Sequence, residues 1–305
     1  MSEIPHIPVL YREVVDAFDG IKEGIIVDCT MGYGGHSSML LEANEKITLI
    51  GIDQDQTAID FSSKRLAPFG DRARIKKGRF SDVIKTIIAE EGSENIRGIL
   101  ADIGVSSLQL DQKERGFSYE SETLDMRMDS GAALSAAEVV NGYSQKELER
   151  ILRDYGEIRN AAQIASAIIK HRPFYSAKEL SDVVKPYGPR GKKIHPATLV
   201  MQAIRIEVND ELGELSRLLD AIEEADLPHA RIGIISFHSL EDRRVKRAMR
   251  AWADPCTCPP SFPLCTCGRQ ATVRLLTRKV MQPSDAEVRN NPMARSTRLR
   301  AVEKL

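Results

Sequence analysis

Apolar residues gather in short runs along the first hundred positions, and each run closes on an acid or a glycine. Ile25-Ile-Val-Asp28 leads into the glycine-rich stretch Met31-Gly-Tyr-Gly-Gly-His36, and Thr48-Leu-Ile-Gly-Ile-Asp53 ends in a second acid. Ala73-Arg-Ile-Lys-Lys-Gly78 and Ile96-Arg-Gly-Ile-Leu-Ala-Asp102 repeat the form. Between them the spacing turns helical: Ser37 through Leu41 to Ala43, then Thr57 to Leu66 with Ala58, Ile59 and Phe61, then Asp82 to Glu91. Strand and helix in this alternation predict a doubly wound α/β fold, a parallel sheet with helices on both faces.

The alternation stops near residue 112. From Gln112 to Asp210 one helical pattern follows another with no strand among them. Ser144-Gln-Lys-Glu147 and Ser176-Ala-Lys-Glu179 are capping boxes, each satisfying amide donors at a helix start. Pro196 suits the first turn of a helix running through Ile204 and Val208. The strand pattern returns at Arg231-Ile-Gly-Ile-Ile-Ser-Phe237, with a basic helix after it. Runs at Val273 to Met281 and Thr297 to Val302 are expected to pair antiparallel at the sheet edge. The predicted organisation is a discontinuous sheet domain, residues 1–111 and 211–305, interrupted by an inserted all-helical domain at 112–210.

Composition adds little to this picture. The chain has 305 residues, 42% hydrophobic and 29% charged, and no apolar run nears the roughly 20 residues that span a bilayer. Met1 to Val9 lacks a basic segment followed by an apolar one, so a cytosolic location is expected. Net charge is −1, yet from Arg231 onward basic residues outnumber acids by roughly two to one. Arg243, Arg244, Lys246, Arg247 and Arg250 fall in one stretch, which reads either as a solvated helix face or as a surface for phosphates. Of five cysteines, Cys29 stands inside a strand pattern as packing. Cys256-Thr-Cys258 and Cys265-Thr-Cys267 form two close pairs. They read as a zinc site of unusual C-x-C spacing or as a reduced, proline-rich loop.

The glycine-rich turn is the first candidate for chemistry. Gly32, Gly34 and Gly35 allow backbone to approach a ligand, and Ser37 takes the place where a third glycine of G-x-G-x-x-G would fall. Asp53 follows Gly34 by 19 residues, near the usual offset for an acid that holds ribose hydroxyls. The nucleoside belongs to NAD or to S-adenosylmethionine. NAD asks for a pyrophosphate at the helix N-terminus, whereas Asp28 beside the loop suits the ammonium of a methionine moiety, or serves only as a turn residue.

Several motifs together resemble one family. They are Asp28-Cys-Thr-Met-Gly-Tyr-Gly-Gly-His36, Asp102-Ile-Gly-Val-Ser-Ser-Leu-Gln109, Glu114-Arg-Gly-Phe-Ser-Tyr119, Leu124-Asp-Met-Arg-Met-Asp129, His195-Pro-Ala-Thr198, Ile235-Ser-Phe-His-Ser-Leu-Glu-Asp242 and Asn291-Pro-Met-Ala-Arg-Ser296. In that order they resemble the ribosomal RNA small subunit methyltransferase H family. The resemblance implies a Rossmann-like class I methyltransferase sheet and S-adenosylmethionine as cofactor. It also implies methylation at N4 of a cytosine in the decoding region of 16S rRNA, within the small ribosomal subunit.

Carried over by position, the resemblance puts cofactor contacts on Gly34, Gly35, His36 and Asp53. Phe80 would lie beside the adenine, with Asp102 and Gln109 nearer the methionine end. Leu108 replaces a common proline before Gln109 and leaves the glutamine in place. The acid-or-polar-Pro-Pro-aromatic motif of many amino-methyltransferases is missing after Asp102, which disfavours a DNA N4-cytosine enzyme. Asp102 with the carbonyls of Ile103 to Val105 is expected to line the transfer point, and Ser106, Ser107 or His238 to meet the base. A dedicated general base is not required, because the methylated amine releases its proton to water. Arg115, Phe117, Tyr119 and Arg127 suit phosphates and unstacked bases, or else belong to a loop folded over the cofactor and anchored by Arg-carboxylate pairs. The target cytosine is expected to be turned out of its stack. Two other classes remain open at this point: an NAD-dependent oxidoreductase and a non-catalytic assembly factor that binds RNA.

Overall fold

A computed structural model describes residues 8–188, 195, 197–259, 262, 264, 266–277 and 279–305, without the side chains of 107 and 108. Pro196 and Cys265 lie outside the described residues. The chain divides into two compact units, Met1–Gly104 with Gly213–Leu305, and Val105–Leu212. The sequence boundaries fell at 111/112 and 210/211.

The first unit opens with α1 (Tyr11–Phe18), then β1 (Gly24–Asp28), α2 (Gly35–Ala43), β2 (Ile47–Asp53), α3 (Gln56–Leu66), β3 (Ala73–Lys77), α4 (Phe80–Glu91) and β4 (Ile96–Asp102). The second unit carries α5 (Ser107–Asp111), α6 (Ala136–Gly142), α7 (Gln145–Asp154), α8 (Ala161–Lys170), α9 (Ala177–Val184) and α10 (Thr198–Asn209). After α11 (Glu211–Glu224), the sheet unit closes with β5 (Arg231–Ser236), α12 (Ser239–Ala253), β6 (Val273–Leu275), α13 (Asp285–Asn290) and β7 (Arg298–Lys304).

The seven strands lie in the order β3-β2-β1-β4-β5-β7-β6. The first five are mutually parallel, and β7 pairs antiparallel with β5 and with β6. Alternate side chains of a strand point to opposite faces, and the core obeys that period. Ile25 and Val27 join a cluster with Ile84 of α4, Leu218 of α11 and Val245 of α12. Ile26 between them joins Val14 of α1, Leu41 of α2 and Leu66 of α3. Both faces are thus covered, which is why β1, β2 and β4 read as continuous apolar runs.

The helical unit has its own core, built from Val139 of α6, Ile151 of α7, Ile164 of α8, Leu180 of α9 and Ile204 of α10. Three capping boxes start its helices. Ser144/Glu147 and Ser176/Glu179 were expected, and Ser135/Glu138 begins α6 in the same way. Three differences from expectation stand in the sheet unit. Helix α1 was not anticipated, because Leu10 before it sits at φ 54° and supplies no side-chain cap. The run from Val273 yields a three-residue strand and an isolated bridge at Met281 among the described residues, with the Leu276 amide donating to the Ala301 carbonyl of β7 between them. Strand β5 begins at Arg231, as predicted. Cys29 lies just past β1 and is 2% exposed in the core.

Candidate active site at the strand ends

The chain runs outward from β1 through β2 to β3, then returns to β4 on the other side of β1. That reversal opens a crevice at the carboxyl ends of the strands, where open α/β sheets bind ligands. Three acids stand there as final residues of neighbouring strands: Asp28 of β1, Asp53 of β2 and Asp102 of β4. Among the described residues none of the three is paired with a lysine or arginine.

Asp28 is 1% exposed. Its Oδ2 accepts from Ser37 Oγ at 2.6 Å and its Oδ1 from the Thr30 amide at 3.2 Å. Burial still pushes its pKa up to about 6, against those bonds. Asp53 accepts from the Gly32 amide at 2.8 Å on Oδ2 and from the Asp55 amide at 2.8 Å on Oδ1. Burial raises it too, to about 6. The Gln54 amide engages it as well, and of the four lone pairs of a carboxylate that leaves acceptor capacity for a hydroxyl donor.

Asp102 is the most perturbed. Burial, then the charges of Asp28 and Glu241, raise it to about 8. The Thr30 hydroxyl accepts from its amide at 2.5 Å and so ties the end of β4 to the loop after β1. Its side chain keeps 23% of its surface accessible, yet Oδ1 is enclosed and has no hydrogen-bond partner. Oδ2 lies 3.6 Å from His36 Nδ1. The other ring nitrogen of His36, Nε2, donates to the Val9 carbonyl at 2.8 Å, so a neutral ring turns its lone pair at Nδ1 toward Asp102. Burial lowers His36 to about 4, which keeps that ring neutral near pH 7.

The loop that carries these groups needs glycine. Gly34 has φ 71°, and a Cβ there would lie 3.3 Å from Leu66 Cγ of α3. Gly34 caps α2, Gly35 begins it, and His36 and Ser37 fill its first turn. Phe80 opens α4 directly after β3 and is half-buried against the cluster that includes Ile84 and Ile87. His238 precedes α12. Its Nε2 lies 3.0 Å from Oε1 of the fully buried Glu241, whose Oε2 accepts from the amides of Phe237 and His238 at 2.8 and 3.2 Å.

The remaining sequence candidates belong to the helical unit. The Ser106 amide donates to Gln109 Oε1 at 3.0 Å, and Ser106 Oγ accepts from the Gln109 amide at 3.2 Å. Of the two readings of Arg115, Phe117 and Arg127, the contacts within this unit favour the loop anchored by an Arg-carboxylate pair. Phe117 is 5% exposed in the helical core, where its ring cannot stack on a base. Arg115 donates to the carbonyls of Arg127 and Met128, and Arg127 grips Asp125 at 2.9 and 2.7 Å. Tyr119 does stay exposed, stacked on His195 with ring centroids 4.2 Å apart.

Sequence reasoning passed over Ser37, Thr30 and Glu241. The first two act across turns that no short motif encodes. Glu241 sits at the third position of α12 and takes the acid's place in a capping box, but histidine precedes the helix where the signature asks for serine or threonine.

The family model and the similar full-length relatives agree on the family. Residues 3–305 match the model of the MraW methylase family. A ribosomal RNA small subunit methyltransferase H of Sulfurimonas denitrificans is 60% identical over 304 residues, covering 99% of both chains. Its counterpart in Aliarcobacter butzleri is 53% identical over 302 residues, again covering 99% of each. A solved rRNA methylase of Streptococcus thermophilus covers 97% of this chain and 93% of its own at 13% identity with a TM-score of 0.39, and the fold assignment rests on the strand order instead. With a match that runs almost end to end, the chain belongs to the MraW methylase family.

Proposed function

We propose that this methyltransferase acts on N4 of a cytosine in the decoding region of 16S rRNA, within the small ribosomal subunit. Its cofactor is S-adenosylmethionine. The observation that supports the cofactor fit is the cluster of Asp28, Asp53 and Asp102, with Asp102 Oδ1 enclosed and unpartnered. Buried carboxylates that lack a basic partner favour a ligand that brings positive charge and hydroxyl donors. A dinucleotide would instead bring two phosphate charges to the same strand ends.

Asp53 would hold the ribose hydroxyls, and Gly34, Gly35 and His36 would frame the loop around the ligand. Phe80 would offer its ring to the adenine, and Asp28 and Asp102 would face the cationic amino-acid end. The roles of Ser106 and Gln109 rest on the resemblance alone. When bound, the cofactor supplies an electrophilic methyl group. The protein's part is to exclude water and to accept hydrogen bonds from the amine, whose lone pair is delocalised into the ring. Asp102 and the backbone carbonyls after it are suited to that acceptance, with His238 beside the base. Proton loss from the methylated amine can go to water.

The test compares small ribosomal subunits from cells with and without the gene. Mass spectrometry of the 16S rRNA should show one cytosine lacking a methyl, and purified protein should restore it from radiolabelled cofactor. Subunits that are bound but never labelled would identify an assembly factor instead. The helical unit is proposed to dock the particle.

A further inference from the structure

Between α12 and β6 the chain runs from Asp254 to Thr272 with no regular secondary structure among its described residues. It cannot be held by an apolar core of its own, since Phe262 is 53% and Leu264 78% exposed. It is nevertheless folded back on itself. Cys256 and Cys258 approach Cys267, which is 11 positions past Cys256, and their three Sγ atoms all lie within 4.8 Å of one another.

The separations carry chemical information. Cys256 and Cys267 Sγ are 3.9 Å apart, nearly twice the length of a disulfide bond. A zinc ion with four thiolates at about 2.3 Å in a tetrahedron sets its sulfurs about 3.8 Å apart. Cys258 Sγ accepts from the Thr266 amide at 3.3 Å, a bond that favours thiolate over thiol. Cys256 and Cys258 are two positions apart, so in extended backbone their side chains share one side.

We infer that Cys256, Cys258 and Cys267 bind a structural zinc ion that staples this loop. Each thiol gives its proton to solvent as the metal binds, and nothing is oxidised. Zinc suits the set because soft thiolates select it over harder divalent ions. The site lies outside the carboxylate crevice and takes no part in methyl transfer.

The experiment is elemental analysis of untagged full-length protein purified under reducing conditions, followed by titration with zinc alone. One zinc per chain is expected. Growth with cobalt should give the intense visible absorption of tetrahedral cobalt thiolate. Cys256→Ser and Cys267→Ser, made separately, should each lose the metal, while Cys29→Ala should retain it. Because one variant can misfold, circular dichroism accompanies each, and the cobalt spectrum of the unaltered chain stands as an independent reading. Zinc far below stoichiometry that titration does not restore would overturn the inference. So would an intact mass showing a disulfide in reduced preparations, or iron with sulfide in place of zinc.

Discussion

Ser37 donates its hydroxyl to Asp28 Oδ2 at 2.6 Å, and Ser37 is completely buried. That bond fastens the first turn of α2 to the end of β1 and so fixes the loop between them. Hydrogen bonds to charged groups contribute about 1.5–3 kcal/mol each. Ser37→Ala should therefore destabilise the protein by about that amount at pH 7 and raise Asp28 above its pKa of about 6. Urea unfolding measures the loss. A change below about 0.5 kcal/mol, the usual range for an inert surface substitution, would mean that the bond is not held in solution.

Asp53 offers a separate test of the ligand. Its carboxylate already orders the loop through the Gly32 amide, and it keeps acceptor capacity for a hydroxyl donor. Losing charge-assisted bonds of about 1.5–3 kcal/mol should weaken S-adenosylmethionine binding by roughly ten- to hundredfold in Asp53→Ala. Calorimetry reads this directly, with Asp53→Asn to separate loop order from charge. Unchanged affinity in both variants would remove Asp53 from the cofactor site.

These two residues also show how far the sequence could be read. Asp53 was legible, because a strand buried on both faces leaves a continuous apolar run and the acid that ends it stands out. The same reasoning found Asp28 and Asp102. Ser37 was legible only as a missing glycine, since its partner lies nine residues back across a turn whose path the pattern does not encode. Phe117 stayed open between two readings for the opposite reason. An aromatic among arginines looks like a base-stacking surface until the helical core that encloses it is known. Helix α1 carries Val14, Ala17 and Phe18 at helical spacing, yet lacks the cap that announces a start.

The pH dependence of the free protein should carry the signature of Asp102. Its pKa stands at about 8 in the fold against an ordinary 3.8. Below pH 4 both folded and unfolded chains hold the proton, so the contribution is intact. Between those values the unfolded chain ionises first, and stability falls as pH rises. Asp28 and Asp53 push the same way up to about 6. His36, lowered from 6.5 to about 4, opposes them in that window, because there the unfolded chain binds the extra proton. From about pH 6.5 to 8 Asp102 alone of these four still titrates. Wild-type stability should decline there, and Asp102→Asn should flatten the decline. A bound cation favours the ionised acid, so cofactor binding near pH 7 should release a proton. Calorimetry in buffers of different ionisation enthalpy detects it, and binding without proton release would leave Asp102 out of the contact.

The basic face of α12 distinguishes an RNA surface from a merely solvated one. Lys246, Arg247 and Arg250 are all exposed on this helix, which is anchored at its other end by Asp242 holding Arg298 and Arg300 of β7. The anchor leaves the three cations free to be altered without disturbing the fold. Each phosphate neutralised by a cation contributes about 0.7 to 0.9 to the slope of log affinity against log salt. Replacing all three by alanine should lower that slope by about 2 to 3 for binding to small ribosomal subunits, with the loss greatest at low salt. Filter binding across a salt series gives the slope, and thermal melting checks that the fold is kept. If the slope of the triple variant matches the wild type, α12 faces water and the particle docks elsewhere.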